Sequence, residues 1–339
     1  MPIPTEVAYA DYDAGKITRA ELESYQDRAA KDSVSRMEQA GEMFVTDGEQ
    51  RASSFATYPL VEPSGQPGRR WTILYSSLAL SKALSSEIDN TLFPISKPEI
   101  AAHNRSPRYK TYAFDNFKKS KGYAKKGAMK QAVISPSMLY LLYPLNGEVE
   151  GYPKERFVHD LVNECEKDIR GCFEAGAKHR FTAEERRNIG IHTCPGGDCD
   201  SVHSYDVAYH KLFPSLFRIN AGYFLIQLAS EKDKEGVYKL IGENIRKDAK
   251  GVKQVAFIGV VNTLDPSIES PEDIAEALIT ASKYIPLDQL GATDDCGFSP
   301  FSIDQKPKYG SPDFARDVAF KKIANRVQGA RLASAKLGI

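Results

Sequence analysis

The chain has 339 residues and equal numbers of basic and acidic residues, 45 of each, so its formal net charge at pH 7 is zero. Neutrality argues against a nucleic-acid or membrane-surface partner, because both require an excess of Lys and Arg. Hydrophobic residues make up 42% of the chain and charged residues 27%, which is typical of a globular protein and excludes a disordered one. Five cysteines are too few for a disulfide scaffold. With no bilayer-length apolar run and no signal-peptide pattern, the sequence predicts a cytoplasmic protein.

The first part of the chain predicts one long helix, one short strand and an irregular insertion. Residues 14–41 carry apolar residues at helical spacing and end at a glycine, which favours helix termination. The strand 43–45 follows and runs into a charged turn. Residues 61–126 contain prolines and glycines near their start and lysines at their end, and they predict an inserted hairpin or lid. The lysines indicate a solvated face, since the glycines of a phosphate-binding loop are lacking.

From residue 131 onward, strands and helices alternate. The predicted strands are 132–135, 188–193, 221–228, 255–261 and 290–293, and the predicted helices are 154–177, 232–245, 271–282 and 312–335. This alternation indicates right-handed βαβ units and a parallel sheet. No glycine-rich nucleotide-binding motif is present. The sequence therefore predicts an α/β fold, a TIM (β/α)8-type barrel in a single domain over residues 1–339, with its chemistry at the carboxyl ends of the strands.

Three side chains at predicted strand ends are of the types that zinc prefers as ligands. His192 and Cys194 come at the end of strand 188–193, and Cys296 follows strand 290–293. In a parallel barrel both segments open onto one face, where an imidazole and two thiolates leave a fourth position on the metal. Taken alone, the residues leave open the alternative that these cysteines are buried apolar side chains without a ligand role.

Three segments resemble the catalytic domain of cobalamin-independent methionine synthase, in the superfamily shared with uroporphyrinogen decarboxylase. Residues 45–51 (VTDGEQR) are similar to a strand end of that family that carries Gly-Glu. Residues 192–194 (HTC) and 295–297 (DCG) are similar to its two metal-binding segments. The likeness covers most of the chain, from about residue 15 to residue 335.

The resemblance implies a zinc ion held by His192, Cys194 and Cys296. The fourth ligand of the family is a glutamate at the end of the next strand. At that place the sequence offers Gln227, with Glu231 four residues further on. A glutamine is a neutral and poorer ligand, so water or substrate is the alternative occupant of this position.

The activity implied by the resemblance is zinc-dependent transfer of a methyl group to the thiol of homocysteine, a step of methionine biosynthesis. Its partners would be a small-molecule thiol and an alkyl donor. Glu49 would bind the amino group of homocysteine, and Asp295 would belong to the substrate site by orienting a ligand or its loop.

The chain departs from the family pattern at two strands. No strand precedes the first helix, and residues 175–186 leave no room for a further strand, so the strands corresponding to the first and fourth of the barrel are missing. Six strands remain where eight close a barrel. Either the two were lost, as in a splice form or a faulty gene model, or the assigned register is wrong. One alternative function is therefore an inactive, truncated zinc-binding homologue. Another is thiol alkylation of the epoxyalkane:coenzyme M transferase type, whose members residues 192–198 and 293–298 resemble at least as closely.

Overall fold

The computed structural model describes residues 5–52, 58–59, 109–140, 143, 152–176, 187–193, 209–246, 253–298 and 310–339. These residues form a mixed α/β structure with two separate parallel sheets, which confirms the predicted class and strand direction. Contacts divide the chain into two compact units, the first drawn from residues 1–177 and the second mainly from residues 178–339. A single barrel domain over residues 1–339 stays a prediction.

The first unit begins with two helices, α1 (Thr5–Asp13) and α2 (Arg19–Ala40). A capping box starts α2, because Thr18 N donates to Glu21 Oε2 at 2.7 Å while Glu21 N donates to Thr18 Oγ1 at 3.3 Å. The predicted helix 14–41 is thus confirmed from residue 19, whereas α1 was not predicted. Residues 5–43 contain no strand.

A short parallel sheet follows, formed by β1 (Phe44–Val45) and β2 (Ala128–Met129). Its ladder is made by Ala128 N donating to Met43 O at 2.7 Å and Lys130 N donating to Val45 O at 2.9 Å. The predicted strand 132–135 is therefore wrong, and the strand lies earlier in the chain. The apolar residues at 133 and 134 instead pack against a hydrophobic cluster that includes Tyr58 and Cys172.

Three helices complete the described part of the first unit: α3 (Ala113–Ser120), α4 (Pro136–Tyr140) and α5 (Lys154–Glu174). Only α5 was predicted. The buried carboxylate of Asp168 on α5 accepts from the backbone N–H groups of Ala113 at 3.0 Å and Phe114 at 3.1 Å, so it caps the start of α3. Of the predicted lid 61–126, residues 61–108 lie outside the described residues, and the rest contains α3.

The second unit is built on a four-stranded parallel sheet whose strands follow one another in chain order. Its strands are β3 (Gly190–Thr193), β4 (Tyr223–Ile226), β5 (Val255–Val261) and β6 (Leu290–Asp294). Its helices are α6 (Tyr209–Leu216), α7 (Lys234–Asn244), α8 (Pro271–Ala281) and α9 (Pro312–Leu337). The four predicted strands and the helices α7, α8 and α9 are confirmed to within a few residues, and α6 is an addition.

One face of this sheet carries the main hydrophobic core. Phe224, Ile226, Ala256 and Ile258 are each fully buried there, packed with residues from α6, α7 and α8. Burial of this face is the dominant favourable contribution to folding of the unit. The opposite face carries the alternate residues of each strand and is only partly covered.

The strands that the structure describes form no closed barrel. Residues 177–186, where the fourth strand of a barrel is predicted to be missing, lie outside the described residues. None of the described helices is both long enough and apolar enough to cross a membrane.

Candidate metal and substrate site

The two predicted ligands that the structure describes, His192 and Cys296, are in contact. The Sγ atom of Cys296 lies 3.6 Å from Nε2 of His192. His192 is on β3 and Cys296 follows β6, at opposite edges of the sheet, which would lie about 14 Å apart if the sheet were flat. The two side chains are too short to bridge this distance, so the curvature of the sheet and the path of the chain after β6 must bring them together. His192 is exposed and Cys296 half-buried.

The separation of these two atoms fits a shared metal ion. Two ligands of a tetrahedral zinc, one nitrogen and one sulfur at ordinary bond lengths, are about 3.6 Å apart. Cys194, the third predicted ligand, lies outside the described residues. Within the described part of the chain, no group of three His, Cys, Asp or Glu side chains is arranged to hold a metal. The structure thus brings together an imidazole and a thiol suited to zinc, but not a full ligand set.

Asp295 connects the carboxyl ends of β4 and β6. Its buried carboxylate accepts from the backbone N–H of Leu228 at 2.9 Å and from that of Ala229 at 2.8 Å, while its own N–H donates to Val261 O at 3.0 Å. Burial raises the pKa of Asp295 to about 6, although the two N–H groups act in the opposite direction. The Asp295 side chain therefore fixes the backbone immediately before Cys296.

A second anchor, from α9, holds the residue before Asp295. Arg326 Nε donates to Asp294 Oδ1 at 2.8 Å, and Arg326 Nη2 donates to Glu42 Oε2 at 3.0 Å. Burial alone would lower the pKa of Arg326, but the two carboxylates outweigh it and raise that pKa. Cys296 thus follows two consecutive residues whose side chains are tied to other elements.

The two candidates for the fourth ligand lie at and beyond the end of β4. Gln227 is 1% exposed, and its carbonyl oxygen accepts from the Tyr209 hydroxyl at 2.6 Å. His192 aligns with Leu225, so the alternation of the strand continues to Gln227 on the face that carries His192. Glu231 is half-buried in the following turn, where its N–H donates to Leu228 O at 3.1 Å.

Glu49 lies in the first unit, in the turn after β1. It is exposed and has a left-handed backbone with φ of 56°, a conformation uncommon outside glycine. Asp47 Oδ1 accepts from its N–H at 2.9 Å, and Asp47 Oδ2 accepts from the Ser120 hydroxyl at 3.0 Å. Ser120 in turn accepts from Arg51 Nε at 3.1 Å. A buried polar network therefore supports the turn that presents Glu49.

A groove of about 440 Å³ lies between α3 and α5 of the first unit. Its basic side chains have local partners: Arg170 pairs with Glu166 at 2.6 Å, and Lys118 pairs with Asp115 at 3.2 Å. This agrees with the prediction that lysines at this point of the chain form a solvated face.

Sequence reasoning missed the supporting residues Asp294, Arg326 and Gly259. The two aspartates before Cys296 are visible in the sequence, but Arg326, the partner of Asp294, lies 32 residues further along the chain. An ideal Cβ on Gly259 would come within 1.9 Å of Asp295 Oδ1, so this glycine makes room for the carboxylate. Neither relationship has a periodic pattern in the sequence.

No family model and no curated protein sequence matches the chain. The structure is similar to that of a B12-independent methionine synthase from a Shewanella species, solved in complex with selenomethionine, with a TM-score of 0.59, 15% identity, and coverage of 95% of this chain and 91% of that one. It is also similar to a Listeria monocytogenes protein assigned as a vitamin-B12-independent methionine synthase, with a TM-score of 0.58, 17% identity, and coverage of 96% and 92%. These comparisons confirm the resemblance to cobalamin-independent methionine synthases at the level of the fold.

Proposed function

We propose that the chain is a zinc-dependent methyltransferase that methylates the thiol of homocysteine, on a fold of the TIM-barrel type. The observation that carries the proposal is the 3.6 Å contact between Cys296 and His192, which has the spacing of two zinc ligands. The likeness in fold to B12-independent methionine synthases supports it independently. The proposal includes Cys194 as the third ligand and a cytoplasmic location.

The residues of the chain would bind the metal and hold its surroundings rigid. When bound, zinc supplies Lewis-acid activation that lets a thiol lose its proton near neutral pH. Asp295 and Asp294 keep the segment carrying Cys296 in place through Leu228, Ala229 and Arg326. Fixed surroundings of this kind orient metal ligands and preserve their geometry.

Homocysteine and a thiol that bears a sulfonate both carry an anion, the α-carboxylate in one and the sulfonate in the other. Either anion pairs best with Lys or Arg, preferably the bidentate guanidinium group, so a basic side chain would not distinguish the two substrates. The group that distinguishes them is the ammonium, which only homocysteine carries.

An amino-acid substrate needs a group that binds its ammonium, and Glu49 is proposed for this role. Its assignment comes from the resemblance of residues 45–51 to the family's Gly-Glu strand end. The Shewanella synthase was solved with selenomethionine, an amino acid of the same class. We propose that the substrate of this chain is likewise an amino acid.

The direct test is formation of methionine. Purified protein is incubated with homocysteine and a panel of methyl donors, including 5-methyltetrahydrofolate with one and with three glutamates, and methionine is quantified by mass spectrometry. We expect methionine with at least one donor, and its loss in Cys296→Ser. Cys172→Ala is the matched control, since this buried thiol lies in the first unit. Product from epoxypropane and coenzyme M instead of methionine would contradict the proposal.

A further inference from the structure

A lysine of α9 lies wholly inside the second unit, at the carboxyl end of β5. Lys322 has no exposed surface, and its ammonium donates to both carboxylate oxygens of Glu269, at 3.0 and 3.2 Å, and to Asn262 O at 3.0 Å. Glu269 Oε1 also accepts from Asn262 N at 2.9 Å. The ion pair therefore binds both backbone polar groups of the residue that directly follows β5.

An ion pair in this position is a costly way to stabilise a fold. A fully buried ammonium loses its hydration, and its attraction to a carboxylate often does no more than offset that loss. Two apolar side chains of similar volume would stabilise the fold as well or better. Apolar side chains, however, cannot bind a backbone N–H and C=O. The feature that distinguishes this ion pair from an apolar one is thus its hold on the backbone of Asn262.

The pairing of β5 with β6 is irregular just before Asn262. The register shifts between Gly259 and Val261, so β5 has one more residue there than its partner strand. Irregularities of this kind bend a strand, and they are common next to active sites. Beyond the shift, Val261 O accepts from Asp295 N at 3.0 Å. The end of β5 thus determines where the backbone immediately before Cys296 is bound.

The helix α9 also holds β6, one turn further along. Arg326 comes four residues after Lys322 and so lies on the same face of the helix. Its Nε donates to Asp294 Oδ1 at 2.8 Å. Two cations of one helix therefore anchor neighbouring strand ends, β5 through Asn262 and β6 through Asp294.

We propose that Lys322 and Glu269 are positioning residues for the metal site. By fixing the end of β5, they hold the carbonyl of Val261 where Asp295 N bonds to it, and Cys296 follows directly. The inference rests on the proposed function, since it takes Cys296 as a zinc ligand. It assigns a role in metal affinity to an ion pair that lies outside the ligand set.

The test compares zinc affinity with stability. Lys322→Met/Glu269→Met replaces the ion pair by two apolar side chains. Competition with a chromogenic chelator measures zinc affinity, and urea denaturation of the metal-free protein measures stability. The double variant is expected to unfold at about the urea midpoint of wild type, because an apolar pair can replace a buried ion pair without loss of stability. Its zinc affinity is expected to fall about tenfold or more, the scale on which residues outside the ligand set affect metal binding.

Two further variants keep the test independent of a folding defect. Glu269→Gln keeps the volume of the side chain and removes only its charge, and it is expected to weaken zinc binding by less than the double variant does. Ser270→Ala is the matched control for lost stability, because the Ser270 hydroxyl caps α8 by accepting from Asp273 N at 3.1 Å. Loss of this cap should lower the urea midpoint and leave zinc affinity unchanged.

The outcomes separate the positioning role from the proposed function. Wild-type zinc affinity in the double variant and in Glu269→Gln would overturn the positioning role and leave the proposed function standing. Zinc affinities that follow the urea midpoints in every variant, Ser270→Ala included, would also overturn it, because they would show a merely structural ion pair. If the double variant does not fold, Glu269→Gln decides, and unchanged zinc affinity there rejects the role. If wild type binds no zinc, the proposed function fails and the positioning role with it.

Discussion

The carboxylate of Asp295 occupies the space that a side chain on Gly259 would fill. An ideal Cβ at Gly259 would lie 1.9 Å from Asp295 Oδ1 and 2.7 Å from the backbone nitrogen of Leu228. Because Gly259 on β5 has no side chain, the Asp295 carboxylate at the end of β6 can accept hydrogen bonds from the backbone at the end of β4. This close packing beside the segment that carries Cys296 can be tested by adding one methyl group.

We expect Gly259→Ala to lower the free energy of unfolding by about 2–4 kcal/mol, because the methyl group displaces Asp295 from the N–H groups of Leu228 and Ala229. Gly122→Ala is the control, since a Cβ there meets nothing within 4 Å. Urea denaturation followed by circular dichroism measures both. Unfolding midpoints for Gly259→Ala and Gly122→Ala that coincide would show that Asp295 does not need this space.

Asp168 should make the stability of the first unit depend on pH. Burial raises the pKa of its carboxyl group, although hydrogen bonds from Ala113, Phe114 and Tyr58 oppose this. The folded protein then binds the proton more tightly than the unfolded chain does. The free energy of unfolding should therefore fall as pH rises from about 4, the ordinary carboxyl value, through the raised folded pKa.

Asp168→Asn cannot titrate at this position. The decline in stability assigned to Asp168, from about pH 4 through its raised folded pKa, should therefore be absent from the unfolding curves of this variant. Asp115→Asn is the control, because Asp115 is exposed on the same helix that Asp168 caps. Denaturant titrations at several pH values measure the slopes. Identical slopes for wild type and Asp168→Asn would contradict the account of this carboxyl group.

Glu49 is expected to recognise the ammonium of the substrate and not its thiol. Glu49→Gln should weaken the binding of homocysteine by about tenfold or more, since a hydrogen bond to a charged group contributes about 1.5–3 kcal/mol. Propanethiol, which has no amine, should be affected by less than about twofold. Calorimetric titration of both thiols makes the comparison, and equal weakening of the two would remove Glu49 from amine recognition.

Gln227 is expected to lie next to the metal. Strand alternation places it on the same face of β4 as Leu225, which is paired with His192. Gln227→Glu should then raise the affinity for zinc, because a carboxylate is a charged oxygen ligand of the kind that zinc prefers. Glu231→Gln should leave zinc affinity unchanged. Competition with a chromogenic chelator measures both, and the opposite pattern would assign the fourth position to Glu231.

The sequence predicted best where burial imposes a continuous pattern. The apolar run at 255–261 coincides with β5, which is covered on its core face along its whole length. A shorter apolar run at 132–135 is not a strand, because its side chains pack against helices while β2 pairs with β1 four residues earlier. Local hydrophobicity does not distinguish these two uses of an apolar segment.

The helix α6 was not predicted because Pro214 lies inside it, and an interior proline normally indicates a break. The contact between Cys296 and His192 followed from the rule that parallel strands end on one side of the sheet. The ion pairs that anchor this contact could not be predicted from that rule. Arg326 reaches Asp294 and Glu42 from the last helix, and such a long-range ion pair leaves no spacing to read.

The central claim is that His192 and Cys296 are ligands of one zinc ion. The measurement that tests it most directly is the metal content of purified, chelator-washed protein by mass spectrometry, with Cys296→Ser and Cys172→Ala prepared in parallel. We predict about one zinc per chain in wild type and in Cys172→Ala, and loss of that zinc in Cys296→Ser. Folded wild type without zinc, or Cys296→Ser with full zinc occupancy, would contradict the claim.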